Sequence, residues 1–295
     1  MTIAKGSFQR ILFTTDFSPC SASAAPFVRF LAEHYDAEMF LVYVIAAETE
    51  APDTATPPKM ARSLDASPEQ QMHAFVTANS LDGLVTETLV EYGDIGDVLE
   101  RVIRDKAIDL IVVGTHGRSG VGKLILGSVA EHIFQMAPCP VLSVGRKARR
   151  SWGAGNEPNL ILYASDFDPA SLRALPYALS LARVTNGQMI LLHALEASLT
   201  GRDINAVHER LNSLIPVEAR SWCKFDTLVI SGDAGDIILQ SASDRNADLI
   251  VMGGHRVTGP LYPIRVPRTT AYRVISQAHC PVLRITELFQ EGNPV

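Results

Sequence analysis

Gly114-Thr115-His116-Gly117-Arg118-Ser119-Gly120-Val121-Gly122-Lys123-Leu124-Ile125-Leu126-Gly127-Ser128 follows a solid apolar run, Leu110-Ile111-Val112-Val113, and precedes an amphipathic segment, Val129 to Met136. Strand, glycine-rich loop and helix start, in that order, form a layout that cradles phosphate. Backbone N–H groups approach an anion most easily where no Cβ intrudes. The helix start adds unpaired donors and a partial positive charge. The alternative for the same glycines is a turn that needs positive φ. The loop is not a Walker loop, because no Gly-Lys-Ser/Thr opens the helix; Lys123 sits mid-loop. Nor is it a dinucleotide fingerprint, since it follows the fourth strand rather than the first.

Outward from this stretch the chain repeats itself. Ile11 to Ser21 matches Ile161 to Ser171, and Glu38 to Val44 matches Gln188 to Ala194, both at an offset of 150. Gly93-Asp94-Ile95-Gly96-Asp97 matches Gly232-Asp233-Ala234-Gly235-Asp236, and Asp109 to Val112 matches Asp248 to Val251, at 139. Cys139-Pro140-Val141-Leu142 matches Cys280-Pro281-Val282-Leu283 at 141. The falling and rising offset places 11 extra residues in the first copy ahead of position 93, and two in the second copy's loop region. Two copies of one domain result: residues 1–147 and 159–295, joined by a linker at 148–158. The basic cluster Arg146, Lys147, Arg149 and Arg150 beside the linker reads as solvated charge.

Each copy reads as strands alternating with helices. In the first, strands are expected at Arg10 to Thr15, Glu38 to Ile45, Val85 to Glu91, Leu110 to Gly114 and Val141 to Val144, taken together as continuous apolar runs of a parallel sheet covered on both faces. Ser18-Pro19, Asp168-Pro169 and Ser67-Pro68 look like an N-cap followed by Pro at the first helical position. Gln70 completes a capping box with Ser67, Ser128 is expected to do the same with Glu131, and Asp94 and Asp233 cap the third helices. The fold class is therefore α/β: two tandem doubly wound, Rossmann-like domains that bind ligands at the carboxyl ends of their strands. Ala46 to Ala66, with Pro52, Pro57 and Pro58, reads as a surface loop, or as a flap over a ligand, since it leaves the carboxyl end of the second strand.

Few residues offer chemistry of their own. Asp16 ends the first strand beside the switch point and either accepts a hydrogen bond from a ligand amino or hydroxyl group or is held by N–H groups of the turn. A phosphoacceptor role needs an acidic pair and a lysine that cannot be placed. His116 and His255 occupy matching loop positions, and no nucleophile–base constellation or metal-ligand spacing assembles around them. Magnesium would arrive with a nucleotide, on phosphates and water. Over 295 residues, 47% hydrophobic and 20% charged, the net charge of −6 argues against non-specific nucleic-acid binding. No apolar run is long enough for a membrane span, and no secretory leader is visible. Cys20, Cys139, Cys223 and Cys280 lack metal or redox spacing, as expected of reduced thiols in a cytoplasmic protein.

Gly-Thr-His-Gly-Arg-Ser-Gly at 114–120, Gly-Ser-Val-Ala-Glu at 127–131 and Ala-Pro-Cys-Pro-Val-Leu at 137–142 resemble the universal stress protein family, as do the opening Ile-Leu-Phe-Thr-Thr-Asp-Phe-Ser and Gly93 to Asp97. The resemblance covers nearly the whole chain twice. It implies a five-stranded parallel sheet of order 3-2-1-4-5 in each copy, and ATP binding where the glycine motif is intact. By that likeness Gly114, His116, Gly117, Arg118, Gly127, Ser128 and Val129 surround ribose and phosphates, while Thr14, Thr15, Asp16 and Val44 line the adenine side. Family dimers pair through their last strands. Here the two copies would satisfy that pairing internally, around Val141 to Val144 and Val282 to Ile285; a further homodimer of chains is left open. The second copy departs from the pattern, with Arg256 in place of the second glycine and Arg268-Thr269 in place of Gly127-Ser128, so its site is expected to be weakened or empty. The opposing reading gives Arg265 or Arg268 the phosphate contacts.

Three functions fit these features. The first is a nucleotide-binding stress sensor or regulator that holds ATP mainly in its first domain. The second is a slow ATPase or autophosphorylating enzyme, with Asp16, His116 or Ser128 positioning water or receiving phosphate. The third is a nucleotide-independent, chaperone-like partner protein.

Overall fold

The structure is a computed structural model that describes residues 6–46, 66–115, 126–148, 152, 158–195, 201–254 and 269–286. The first copy comprises β1 (Arg10–Thr14), α1 (Pro19–Tyr35), β2 (Glu38–Ile45), α2 (Pro68–Ala78), β3 (Val85–Tyr92), α3 (Ile95–Asp105), β4 (Leu110–Gly114), α4 (Ser128–Met136) and β5 (Val141–Val144). The second comprises β6 (Leu160–Ala164), α5 (Pro169–Thr185), β7 (Gln188–Leu195), α6 (Gly201–Ser213), β8 (Phe225–Ser231), α7 (Ala234–Asp244), β9 (Leu249–Gly254), α8 (Thr270–Gln277) and β10 (Val282–Thr286).

The local signals for helices act as expected, with one exception. Ser18 and Asp168 cap α1 and α5, accepting from the N–H groups of Ser21 and Ser171, and both helices end on a left-handed residue, Asp36 and Asn186. Ser67 and Gln70 form the full capping box of α2. Asp94 takes the N–H groups of Gly96 and Asp97, and Asp233 takes that of Asp236. The exception is Ser128. It is the first residue of α4 rather than its cap; Gly127 occupies the cap position, with no side-chain cap bond among the described residues.

All strands join one ten-stranded sheet, ordered β3-β2-β1-β4-β5-β10-β9-β6-β7-β8. Each copy has the order 3-2-1-4-5 with parallel neighbours. The central strands are buried apolar runs. The edge strand β3 is instead Val-Thr-Glu-Thr-Leu-Val-Glu-Tyr, half-buried to exposed along its length. It corrects the expectation of uniform apolar runs: an edge strand has a neighbour on one side only and takes charge there. Asp109 and Asp248 hold the opposite, amino end of each sheet. Asp109 accepts the N–H groups of Gln9 and Arg10, and Asp248 those of Asn159 and Leu160.

The copies meet where β5 and β10 pair antiparallel, Leu142 opposite Leu283 and Val141 opposite Arg284. Phe8 packs between Tyr35 and Tyr177, each ring centroid 5.4 Å away, and Tyr35 Oη lies 3.0 Å from Ser180 Oγ. Burial pushes the Tyr35 hydroxyl up to about 12. On the other face Phe134 of α4 meets Tyr272 of α8 edge-on at 5.6 Å. Trp152, in the predicted linker, is 2% exposed and packs on Phe27 and Phe30 of α1.

Candidate functional site

Parallel strands leave their carboxyl ends, and the amino ends of the helices that follow, on one edge of the sheet. Thr14 sits there between Val42 and Val113 in the strand register. Thr15 continues the line by donating its N–H to Val42 O at 2.9 Å. Its buried hydroxyl lies 3.1 Å from Ser21 Oγ and accepts the N–H of Phe17. Asp16 accepts the N–H of Ser18 at 3.0 Å, so the local-turn role weighed for this carboxylate is present. Between them Phe17 is held at φ 60°, and its twin Phe167 at φ 65°. Non-glycine residues adopt that region at a cost, and the same turn recurs in the second copy, where Asp166 accepts the N–H of Asp168 at 3.1 Å. Val44 lies at the end of β2, half-buried, opposite Glu91 of β3.

Gly114 ends β4. A Cβ there would lie 3.0 Å from the backbone of Cys20 and Ser21, so its glycine admits α1 close to the sheet. Its twin Gly253 is tighter still, at 2.3 Å from Ser171 N. Part of the glycine signal is thus helix packing rather than ligand approach. Gly127 is tied back to the strand by its N–H to Thr115 O at 2.8 Å, which sets the start of α4 beside the end of β4. Ser128 is exposed and Val129 half-buried at that start. His116, Gly117 and Arg118 lie outside the described residues, as do residues 255–268, on which the expectation of a degenerate second loop falls.

The second copy displays the arrangement as a cavity of about 310 Å³. Ala164, Ser165, Asp166, Ala194, Gly253, Thr269 and Thr270 are on its wall. At the repeat offsets these are the twins of Thr14, Thr15, Asp16, Val44, Gly114, Ser128 and Val129. In the second copy, the twins of seven residues chosen from scattered stretches of sequence line one concavity. Missed by the sequence reading were Ser171, Met252 and, above all, Phe134, which reaches this wall from α4 of the other copy.

The two helix starts differ. At α8 the hydroxyl of Thr269 caps the helix by accepting the N–H of Tyr272 at 3.2 Å. At α4 the cap is glycine, and the N-terminal donors receive no side chain among the described residues. Burial pushes the Cys139 and Cys280 thiols up to about 12. No cluster of three or more metal-type side chains occurs among the described residues.

Two doubly wound copies joined in one sheet define a tandem α/β protein of the Rossmann-like class. Residues 7–145 and 159–285 each match the model of the universal stress protein family, and the chain belongs to that family. Universal stress protein MJ0531 of Methanocaldococcus jannaschii is 30% identical over 152 residues, 46% of this chain and 82% of the relative. A universal stress protein of Thermus aquaticus is 32% identical over 139 residues, 46% of this chain and 98% of its own length. The crystal structure of a universal stress protein from Archaeoglobus fulgidus superposes with a TM-score of 0.65 at 20% identity, covering 94% of this chain and 98% of that one. No helix among the described residues is long and apolar enough to cross a membrane.

Proposed function

We propose that the first copy holds an adenine nucleotide, ATP, and that the chain works as a nucleotide-binding stress sensor or regulator in the cytoplasm. The observation that carries this reading is the start of α4. A helix whose cap is glycine keeps its terminal N–H groups available to an anion, and here that start is bonded to the end of β4 at the switch point. The fit extends to the neighbouring groups. Thr14, Thr15, Asp16 and Val44 offer the adenine side a strand-end carboxylate and an apolar wall. Gly114, Gly127, Ser128 and Val129, together with His116, Gly117 and Arg118 of the intervening loop, serve ribose and phosphates. Magnesium, when present, is carried by phosphate oxygens and water.

The ligand released on denaturing freshly purified protein identifies the nucleotide. Equilibrium dialysis of stripped protein against ATP then measures its binding. ATP retained at one equivalent supports the proposal, and a stripped, folded chain that takes up none rejects it.

A further inference from the structure

The Gly-Asp-x-Gly-Asp motif, present once in each copy at 93–97 and 232–236, takes no part in the site proposed above. The fold gives its second glycine a neighbour. A Cβ on Gly235 would lie 3.1 Å from Cδ of Arg273 on α8 and 3.3 Å from Asp233 Oδ1. A Cβ on Gly96 would lie 2.4 and 2.7 Å from Cε1 and Nε2 of His132 on α4, and 3.0 Å from Asp94 Oδ1. In both copies the glycine is thus a seat for a side chain of the fourth helix. His132 and Arg273 are twins at the offset of 141.

The two seats are filled differently. Arg273 donates to Asp233 Oδ1 at 2.8 Å and also to Asp236, which ties α8 to the start of α7. His132 Nε2 is buried and has no hydrogen-bond partner among the described residues. A neutral imidazole donates from one ring nitrogen only, whereas the protonated ring donates from both. The charges around it favour that cation. Asp94 and Asp97 stand at the start of α3, with Glu100 a turn further on, and Glu131 precedes His132 on α4. Arg101 and Arg104 of α3 are engaged by Glu91 and Asp105, and β4 and β5 carry no ionisable side chain. The start of α3 opposes a cation with roughly half a charge, against the full charges of two carboxylates. The second copy already holds a full positive charge in the matching surroundings.

We propose that His132 is a proton-operated latch between α3 and α4. Protonated, it bridges to Asp94 and Asp97 as Arg273 does to Asp233 and Asp236; neutral, it leaves the two helices without that bridge. The latch does not depend on the nucleotide proposed above. A bond made only by the protonated ring stabilises the folded chain at low pH and is lost as pH rises. Histidine changes charge between about pH 5 and 8, which sets the range to test. The full chain, labelled at its histidine rings, is titrated by NMR, with the His132 signal assigned by its loss in His132→Gln or, should that variant not fold, in His132→Arg. The ring is expected to titrate, and Asp97→Asn, which keeps the Asp94 cap, to move its midpoint to lower pH. In thermal melts, wild type should exceed His132→Gln by about 2 °C more at pH 5.5 than at pH 8. His132→Arg, which carries the twin's residue, should hold its advantage over His132→Gln at both. A ring that stays neutral down to pH 5.5, a midpoint unmoved by Asp97→Asn, or a wild-type advantage that does not grow on acidification would each overturn the proposal.

Discussion

Gly114 and Gly253 show how one residue serves two demands. Both end the fourth strand of their copy and face the amino end of the first helix, Gly253 at 2.3 Å, a distance no Cβ tolerates, and Gly114 at 3.0 Å, where the neighbouring backbone would have to give. Gly114→Ala is expected to cost about 1–3 kcal/mol by overpacking, with Gly253→Ala the more severe because its clash is closer. Urea denaturation of the two variants checks the order. The sequence made these glycines visible as part of a loop motif but gave no sign of the helix pressed against them, because that contact links positions far apart in the chain. Cysteine reads more simply. With Cys139 and Cys280 pushed by burial from 9.0 to about 12, the folded state holds its thiols protonated where the unfolded chain ionises them. The contribution of each is whole below pH 9 and is lost as pH rises from there through about 12. Native protein at pH 8 should therefore resist alkylation by iodoacetamide at these two thiols, while denatured protein reacts at all four cysteines; rapid native labelling of Cys139 or Cys280 contradicts this.

At the scale of elements, the helix starts were the most legible features. Ser18, Ser67, Asp94, Asp168 and Asp233 cap where they were expected, since an N-cap depends on residues within one turn of it. Ser128 misled for a related reason. A serine three residues before a glutamate fits a capping box, yet the helix begins one residue earlier in the first copy than at the matching position of the second. The difference has a measurable consequence. Thr269→Ala should destabilise by about 1 kcal/mol, the usual value of a cap. Ser128→Ala should stay within about 0.5 kcal/mol, its effect falling on nucleotide affinity. Thermal melts of the two variants decide it, and equal losses would restore Ser128 as a cap. The edge strand β3 was placed to within one residue but misread in character: its Thr-Glu-Thr alternation already marks an exposed face, whereas its lone neighbour is set by the topology.

For the whole molecule, the repeat offsets revealed two copies, and the pairing of β5 with β10 makes them one sheet. What the offsets do not contain is asymmetry across the junction. Phe134 enters the other copy's cavity, and Ser143 faces Val282 where its own twin, Arg284, faces Val141. Such contacts arise between copies rather than within one. A continuous sheet, the Phe8–Tyr35–Tyr177 cluster and the anchored Trp152 should make the copies unfold together. One transition is expected in urea, and Trp152→Ala should lower its stability by about 3–5 kcal/mol; two separated transitions in the native chain contradict this. An anion-ready first copy beside a self-capped second can be probed by isothermal titration of stripped protein with ATP, alongside Gly127→Asp. That glycine has φ −64° and ψ 157°, which any residue adopts. An aspartate there should cap α4, adding about 0.5 kcal/mol of stability, while occupying its donors and repelling phosphate. One ATP per native chain is expected and, in the equally or more stable variant, affinity lower by about tenfold or more; two ATP per chain, or undiminished binding in Gly127→Asp, would refute an anion site built on this glycine-capped helix.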